Sequence, residues 1–237
     1  DNLAMKWSLP LAFEDKKIAD VVIAGNKVVA LLQSISKDEK KLRIYASQVD
    51  KSGKYSEPVL LHDISTEKVD EDEKPDLITS HDGHLLACAY RLMPKNKEEQ
   101  LYKTIAFDTT LQVVYRRDIS VPVSYKRFIP LTFALTDKGN FFILVREFAF
   151  EKRAKSPGES FYELYSYRVN SDAVSSNKIG LENKFLTDVG ISADNLNNKI
   201  IVSGFYSDKN TYSTAGVFYY SLSEDSLVQT PVVTSAF

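Results

Sequence analysis

His81 and His84 flank Asp82-Gly83, and a His-x-x-His pair with an aspartate between the two is material for a metal site. No third ligand stands nearby, and the chain holds only three histidines. A solvated hairpin tip is the simpler reading of the segment, and no metal site is expected. Cys88 is the single cysteine. It alternates with Leu86 and Tyr90 in the apolar run 85–90, which suits a buried structural thiol better than a nucleophile. One cysteine also excludes an internal disulfide framework and a Cys-rich metal site. Eight arginines (Arg43, Arg91, Arg116, Arg117, Arg127, Arg146, Arg153 and Arg168) could in part line a ring centre, but nothing groups them as an anion triad. Ser80-His81-Asp82-Gly83 has the wrong spacing for an Asp-box, and the only tryptophan is Trp7. There is no Gly-x-Ser-x-Gly elbow, Walker loop or dinucleotide fingerprint, so no cofactor is expected. With 32 acidic residues, a carboxylate pair of the glycosidase kind is not recognisable by pattern.

Composition bounds the remaining classes. Of 237 residues, 43% are apolar and 26% charged, enough for a sizeable core and unlike a disordered tail. A formal charge of −2 argues against a general nucleic-acid binder, which needs a basic excess to neutralise phosphates. No apolar run approaches the length of a membrane span. Residues 1–10 have neither the basic nor the apolar region of a signal peptide.

The elements that must position any site are strands. Tyr and Phe number 13 each, and Val and Ile recur in short alternating runs. Runs at 20–24, 27–34, 42–49, 85–90, 102–107, 141–145, 164–169, 200–205 and 217–222 all read as strands, and almost no helix is expected. A tight turn between two apolar runs appears at Gly25-Asn26, Asp82-Gly83, Lys138-Gly139 and Asn197-Asn198. Counted at Asn26, Gly83, Gly139 and Asn198, the steps are 57, 56 and 59 residues. Gly and Asn supply the positive φ that two-residue hairpins need. A polar turn after each third strand, at 50–53, 108–111, 170–172 and 223–226, keeps nearly the same period.

A repeated four-stranded antiparallel unit is the signature of a β-propeller blade. A β-sandwich would not need the equal spacing. Blades are expected at 11–65, 66–122, 123–181 and 182–237, in one propeller domain or a portion of one. Residues 1–10 then read as the outer strand of a preceding blade, so the chain is expected to be part of a larger ring. Charge runs at 37–41, 95–99 and 151–155, with the polar segment 207–213, fall between second and third strands. Together with the acidic interblade stretch 67–73, they give one face long charged loops and leave tight turns on the other. Long loops on a rigid face are how such folds present binding sites. Most aromatics of the last two repeats read as packing, while Tyr212, between strands, is the better ligand candidate.

The segment His81-Asp-Gly-His-Leu-Leu resembles the hairpin of Tol-type and WD40-like propellers. A broader likeness, over most of the chain, is to β-propeller proteins of the envelope of Bacteroidota bacteria. It is carried by Asp137-Lys-Gly-Asn-Phe-Phe142, Leu164-Tyr-Ser-Tyr-Arg-Val-Asn170, Lys184-Phe-Leu-Thr-Asp188, Ile200-Ile-Val-Ser-Gly-Phe-Tyr-Ser207, Thr211-Tyr-Ser213 and Gly216-Val-Phe218. The resemblance implies a periplasmic, outer-membrane-associated or secreted location and no particular reaction. The function expected is a non-catalytic protein-binding or scaffold module whose partner is another envelope protein. A glycan-binding propeller is the alternative, and a propeller glycosidase stands third. The resemblance further implies an O-glycosylation pattern at Asp108-Thr109-Thr110 and Asp225-Ser226-Leu227, with Thr109 and Ser226 as acceptors. Against it, Asp108 and Asp225 can simply start turns by bonding their own backbone.

Overall fold

The structure is a computed structural model that describes residue 13 and residues 15–50, 52–65, 74–92, 99–150 and 155–237. It is all-β: four consecutive four-stranded antiparallel sheets, each a meander, which is the architecture of propeller blades. The first sheet holds β1 (Lys17–Ala24), β2 (Lys27–Ser36), β3 (Lys41–Val49) and β4 (Val59–Ser65). The second holds β5 (Asp76–Thr79), β6 (Leu85–Leu92), β7 (Gln100–Asp108) and β8 (Val113–Val121). The third holds β9 (Phe128–Leu135), β10 (Phe141–Phe148), β11 (Ser160–Tyr167) and β12 (Val174–Ile179). The fourth holds β13 (Phe185–Asp194), β14 (Lys199–Ser207), β15 (Gly216–Ser223) and β16 (Val233–Ala236). Among the described residues the only helical pieces are two single 3₁₀ turns, Tyr125–Arg127 and Pro157–Glu159. No helix among them is long and apolar enough to cross a membrane.

The chain divides into two compact units, Asp1–Met93 with Leu101–Ile119 and Pro94–Gln100 with Ser120–Phe237. Unit one carries the first sheet and most of the second. Period-2 alternation turns one row of each sheet inward, so Leu31, Ile44 and Leu61 meet Leu86, Cys88 and Phe107 in one core. A smaller cluster joins Phe13, Ala30, Leu32 and Val49, with the Phe13 and Tyr55 rings 4.6 Å apart. Unit two buries Phe142, Leu144 and Leu164 against Ile200, Val202 and Leu222, with the rings of Tyr162, Phe218 and Tyr220 between the two sheets. Full burial of each large apolar side chain is worth about 1.5–3 kcal/mol, which makes these two faces the main stabilising feature of each unit.

Turn chemistry departs from the sequence reading in two places. Only the first hairpin is a two-residue turn, with Ala24 paired to Lys27. Its left-handed residue is Gly25, φ 59°, and not Asn26. The equivalents are Gly83, Gly139 and Asn198, with φ of 69°, 88° and 52°. Those three turns are longer. Gly83 N donates to Ser80 O, Gly139 N to Thr136 O and Asn197 N to Asp194 O, each closing a turn that leads into a left-handed residue. The strand expected at 164–169 also begins earlier and ends at Tyr167, because Arg168 and Val169 already enter the polar turn. Residues 1–10, read from sequence as a surplus outer strand, lie outside the described residues, as do the acidic stretch 67–73 and most of the charge runs 95–99 and 151–155.

Meander topology sorts the loops of each unit. The second-to-third-strand connections and the chain leading to the next inner strand leave each sheet by one edge, and the hairpins and polar turns leave by the other. The first edge carries the candidate site.

Candidate functional site

β10 and β11 pair so that Arg146 opposes Tyr162, Glu147 opposes Phe161 and Phe148 opposes Ser160. These are the last residues of β10 before the long loop, and strand alternation sends neighbours to opposite faces of the sheet. Glu147 accepts from Arg127 Nη2 at 2.7 Å, and Arg127 Nε donates to Phe148 O at 2.7 Å, which ties the 3₁₀ turn to the strand end. On the other face the Arg146 guanidinium carbon lies 5.2, 5.7 and 5.8 Å from the ring centroids of Phe148, Tyr162 and Tyr212. Arg146 Nη2 donates to Tyr212 Oη at 3.0 Å, so the loop-borne tyrosine singled out by sequence does reach this edge.

Two loops brace the arrangement. The 3₁₀ turn Pro157–Glu159 and the 208–215 loop are joined by Gly158 N donating to Asn210 Oδ1 at 2.7 Å. Lys184, at the entry to β13, lies 4.4 Å above the Tyr206 ring and 2.5 Å from Asp208 Oδ1. The hydrogen bond to Asp208 raises the Lys184 pKa. Between these supports runs a groove of about 650 Å³, whose walls include Glu147, Phe161, Tyr162, Glu163, Lys178 and Lys184. Phe161 is 53% exposed although it is a phenylalanine in a strand. Tyr162 is buried, donates weakly to Thr187 O at 3.3 Å, and has its phenol pKa raised by burial. Tyr165 beneath Glu163 is pushed up as well, by burial and by the carboxylates of Glu163 and Glu147. The groove therefore offers an open aromatic face beside carboxylates and ammonium groups.

The other sequence candidates lie elsewhere. Asp82 Oδ1 accepts from Ser80 Oγ and His84 N, so the carboxylate between the two histidines is engaged in its own turn. No group of three metal-ligating side chains occurs among the described residues. Cys88 is fully buried, and burial drives its thiol far above the ordinary range, leaving no thiolate for chemistry. Trp7 and Arg153 fall outside the described residues.

Thr109 and Ser226 sit on the opposite edges of their sheets from the long loops. Asp108 Oδ1 accepts from Thr110 N at 2.8 Å, Thr110 Oγ1 at 2.6 Å and Gln112 N at 3.0 Å. That is the turn-starting role weighed against glycosylation. Asp50 repeats it on Ser52 and Lys54. Thr109 O accepts from Lys27 Nζ, which holds the Thr109 backbone against the first sheet. Ser226 is exposed beside the exposed Asp225.

Sequence reasoning missed Arg146, Glu147 and Phe161 as a group. Their signal was the run Arg146-Glu147-Phe148, charged and aromatic residues at the end of an otherwise apolar strand just before a long loop.

Neither a family model nor a curated protein matches the chain. Among solved structures it is similar to a Synechocystis apocarotenoid oxygenase (6% identity, TM-score 0.46, covering 89% of this chain and 46% of that one). It is similar also to an α-L-arabinofuranosidase of Fusarium graminearum (8% identity, TM-score 0.44, 89% and 63%). A third is an α-L-arabinanase of Penicillium chrysogenum complexed with arabinobiose (11% identity, TM-score 0.41, 89% and 72%). The chain spans about half to two thirds of the length of the first two. The expectation of a non-catalytic protein-binding or scaffold module is corrected here: the proteins this chain is similar to are enzymes, two of them arabinan- or arabinoside-acting by name.

Proposed function

We propose that unit two binds carbohydrate in the groove at the ends of β10 and β11. The observation that carries this reading is the 53% exposed ring of Phe161, set in a groove of about 650 Å³ between Glu147, Glu163 and Lys178. A sugar ring has an apolar C–H face and a rim of hydroxyls. An open aromatic face takes the first, and side chains that donate and accept within a few ångströms take the second. The reading is one of binding: Glu147 is already engaged by Arg127, whose fork also grips Phe148 O. On this reading the chain works where polysaccharide is met, in a cell envelope or outside it. A panel of neutral and charged oligosaccharides, titrated calorimetrically into the wild-type chain and Phe161→Ala, tests it. The expected result is saturable binding that weakens at least tenfold in the variant. A blank panel, or binding indifferent to Phe161→Ala, contradicts it.

A further inference from the structure

We infer that the free face of the fourth sheet is an interface for a second copy of this chain, and that the protein forms a two-fold dimer through it. Strand pairing sets Phe205 beside Val217, and Ser203 beside Tyr219, which stands in turn beside Val233. The opposite side of the same sheet carries Ile200, Val202 and Leu222 into the core of unit two, so alternation turns this row outward. Phe205, Tyr219 and Val233 are 41%, 53% and 46% exposed. None of them lines the groove. Counted from the left-handed turn residues Gly139 and Asn198, Ile201 and Ser203 of β14 correspond to Phe142 and Leu144 of β10. Phe142 and Leu144 are fully buried, packed with Ile200 and Val202 of the sheet that follows them. The exposed face is therefore the one that, in the preceding sheet, takes another sheet.

Its composition suits a copy of itself. Of the whole chain 26% is charged. On this face no position is charged between Asp188 at one end and Asp194 and Lys199 at the other. A two-fold interface sets the same patch against itself, so a charge near the axis would meet its own kind. Exposed aromatic rings with little charge between them mark the centre of protein interfaces. Phe205 and Tyr219 stand on one diagonal with Gly190, Ser203 and Ser235 about them, which leaves gaps for the rings of a second copy. The four strands have ten, nine, eight and four residues. At about 3.3 Å per residue and about 4.8 Å between strands they present about 500 Å² of planar area. Two copies then bury about 1,000 Å², the size at which a specific interface begins.

The test is sedimentation velocity of the whole chain, with thermal unfolding as the control for folding. A monomer–dimer equilibrium in the micromolar range is expected from a face of this size, with dimer prevailing at about 100 µM. Tyr219→Lys and Val233→Lys should each weaken dimerisation at least tenfold, because each new charge meets its twin. Tyr219→Ser removes the ring and adds no charge, and it should weaken the dimer too. Ile23→Lys alters a 73% exposed residue of β1 and should leave the dimer unchanged. Cross-linking tests the same face without disrupting it. A short bis-maleimide should join Ser203→Cys to its counterpart and should not join Ser52→Cys, on the tight-turn edge of unit one. The native Cys88 is fully buried and does not compete. A chain that stays monomeric at about 100 µM overturns the inference. So does a dimer indifferent to Tyr219→Lys and Val233→Lys, one equally sensitive to Ile23→Lys, or one that cross-links through Ser52→Cys and not through Ser203→Cys.

Discussion

The two units follow one blade plan but hold their tight-turn edges differently. In unit one, the turn after β7 is anchored through a neutral acceptor: Thr109 O receives Lys27 Nζ and Gln48 Nε2. The hairpins beside it touch backbone to backbone, and a Cβ at Gly83 would overlap the nitrogen of Gly25. In unit two, the turn after β15 is anchored by a buried carboxylate. Glu224 is 1% exposed, and its Oε1 receives Thr136 Oγ1 at 2.6 Å and Asn140 Nδ2 at 2.7 Å. Its backbone N donates to Asn198 O at 2.9 Å, so one residue links the hairpins of both sheets of the unit. Lys138 Nζ, 3.7 Å from Oε2, is the nearest cation.

At the long-loop edges the contrast concerns which polar groups are answered within the chain. Unit one's charged strand residues are matched internally: Lys41 and Arg43 with Asp63, Arg43 with Glu39, and Lys103 with Asp118. Arg116 gives both Nε and Nη2 to Leu61 O. Unit two leaves Arg146 Nε without an acceptor and the Phe161 ring open. The same fold thus pairs these charged side chains in one unit and leaves an open aromatic ring beside Glu147 and Lys178 in the other, although unit one too buries an unanswered polar atom, Gln33 Oε1.

Glu224→Ala breaks this comparison most severely. It leaves Thr136 and Asn140 donors buried without their acceptor, a loss of about 2–4 kcal/mol of unfolding free energy. Glu224→Gln keeps an acceptor oxygen and should lose less than half as much. Urea unfolding followed by aromatic near-ultraviolet signal measures both. Gly83→Ala comes next, at about 2–3 kcal/mol, because it meets both a left-handed φ and the Gly25 backbone. Gly180→Ala, where a Cβ meets nothing within 4 Å, is the control and should change little. Lys27→Ala removes one of two donors to an oxygen that retains the other, and about 1 kcal/mol or less is expected.

The smallest effect sharpens the comparison through pH. Burial first, and then the charges of Arg116 and Lys103, hold the His62 pKa below its ordinary 6.5. The unfolded chain therefore binds the His62 proton more readily than the folded one. Unit one should lose stability as pH falls below about 6.5, with no contribution from His62 above it. In His62→Asn that slope should disappear between pH 6.5 and 5. The lowered pKa of Asp63, caused mainly by Lys41, acts only further down, with stability present above 3.8 and lost as pH falls below it. Unit two has no such histidine, so hydrogen exchange at pH 5.5 should open unit one amides preferentially.

Much of the architecture was legible because it is local. Alternation, turn residues and their spacing announced sixteen strands' worth of blades, and each polar turn lay where Asp50 and Asp108 now bond their own backbone. The first hairpin is one or two residues shorter than its equivalents, so its left-handed residue is Gly25, one position before the Asn26 at which the period was counted. The start of β11 was hidden by Ser160 and by an exposed Phe161, neither of which fits an inward-facing row. The site was only partly legible. Tyr212 could be picked out as an aromatic between strands, but its partner Arg146 lies 66 residues away and meets it only through packing of two sheets. Glu224 gave no signal at all, since a buried carboxylate at a turn reads as one more solvated charge.

The most direct measurement of the central claim is a crystal structure of the chain with the tightest-binding oligosaccharide from the panel. The account predicts a sugar ring stacked on the face of Phe161, its hydroxyls bonded to Glu147, Glu163 or Lys178. A sugar bound on the tight-turn edge or against unit one, with the Phe161 ring still bare, would contradict it.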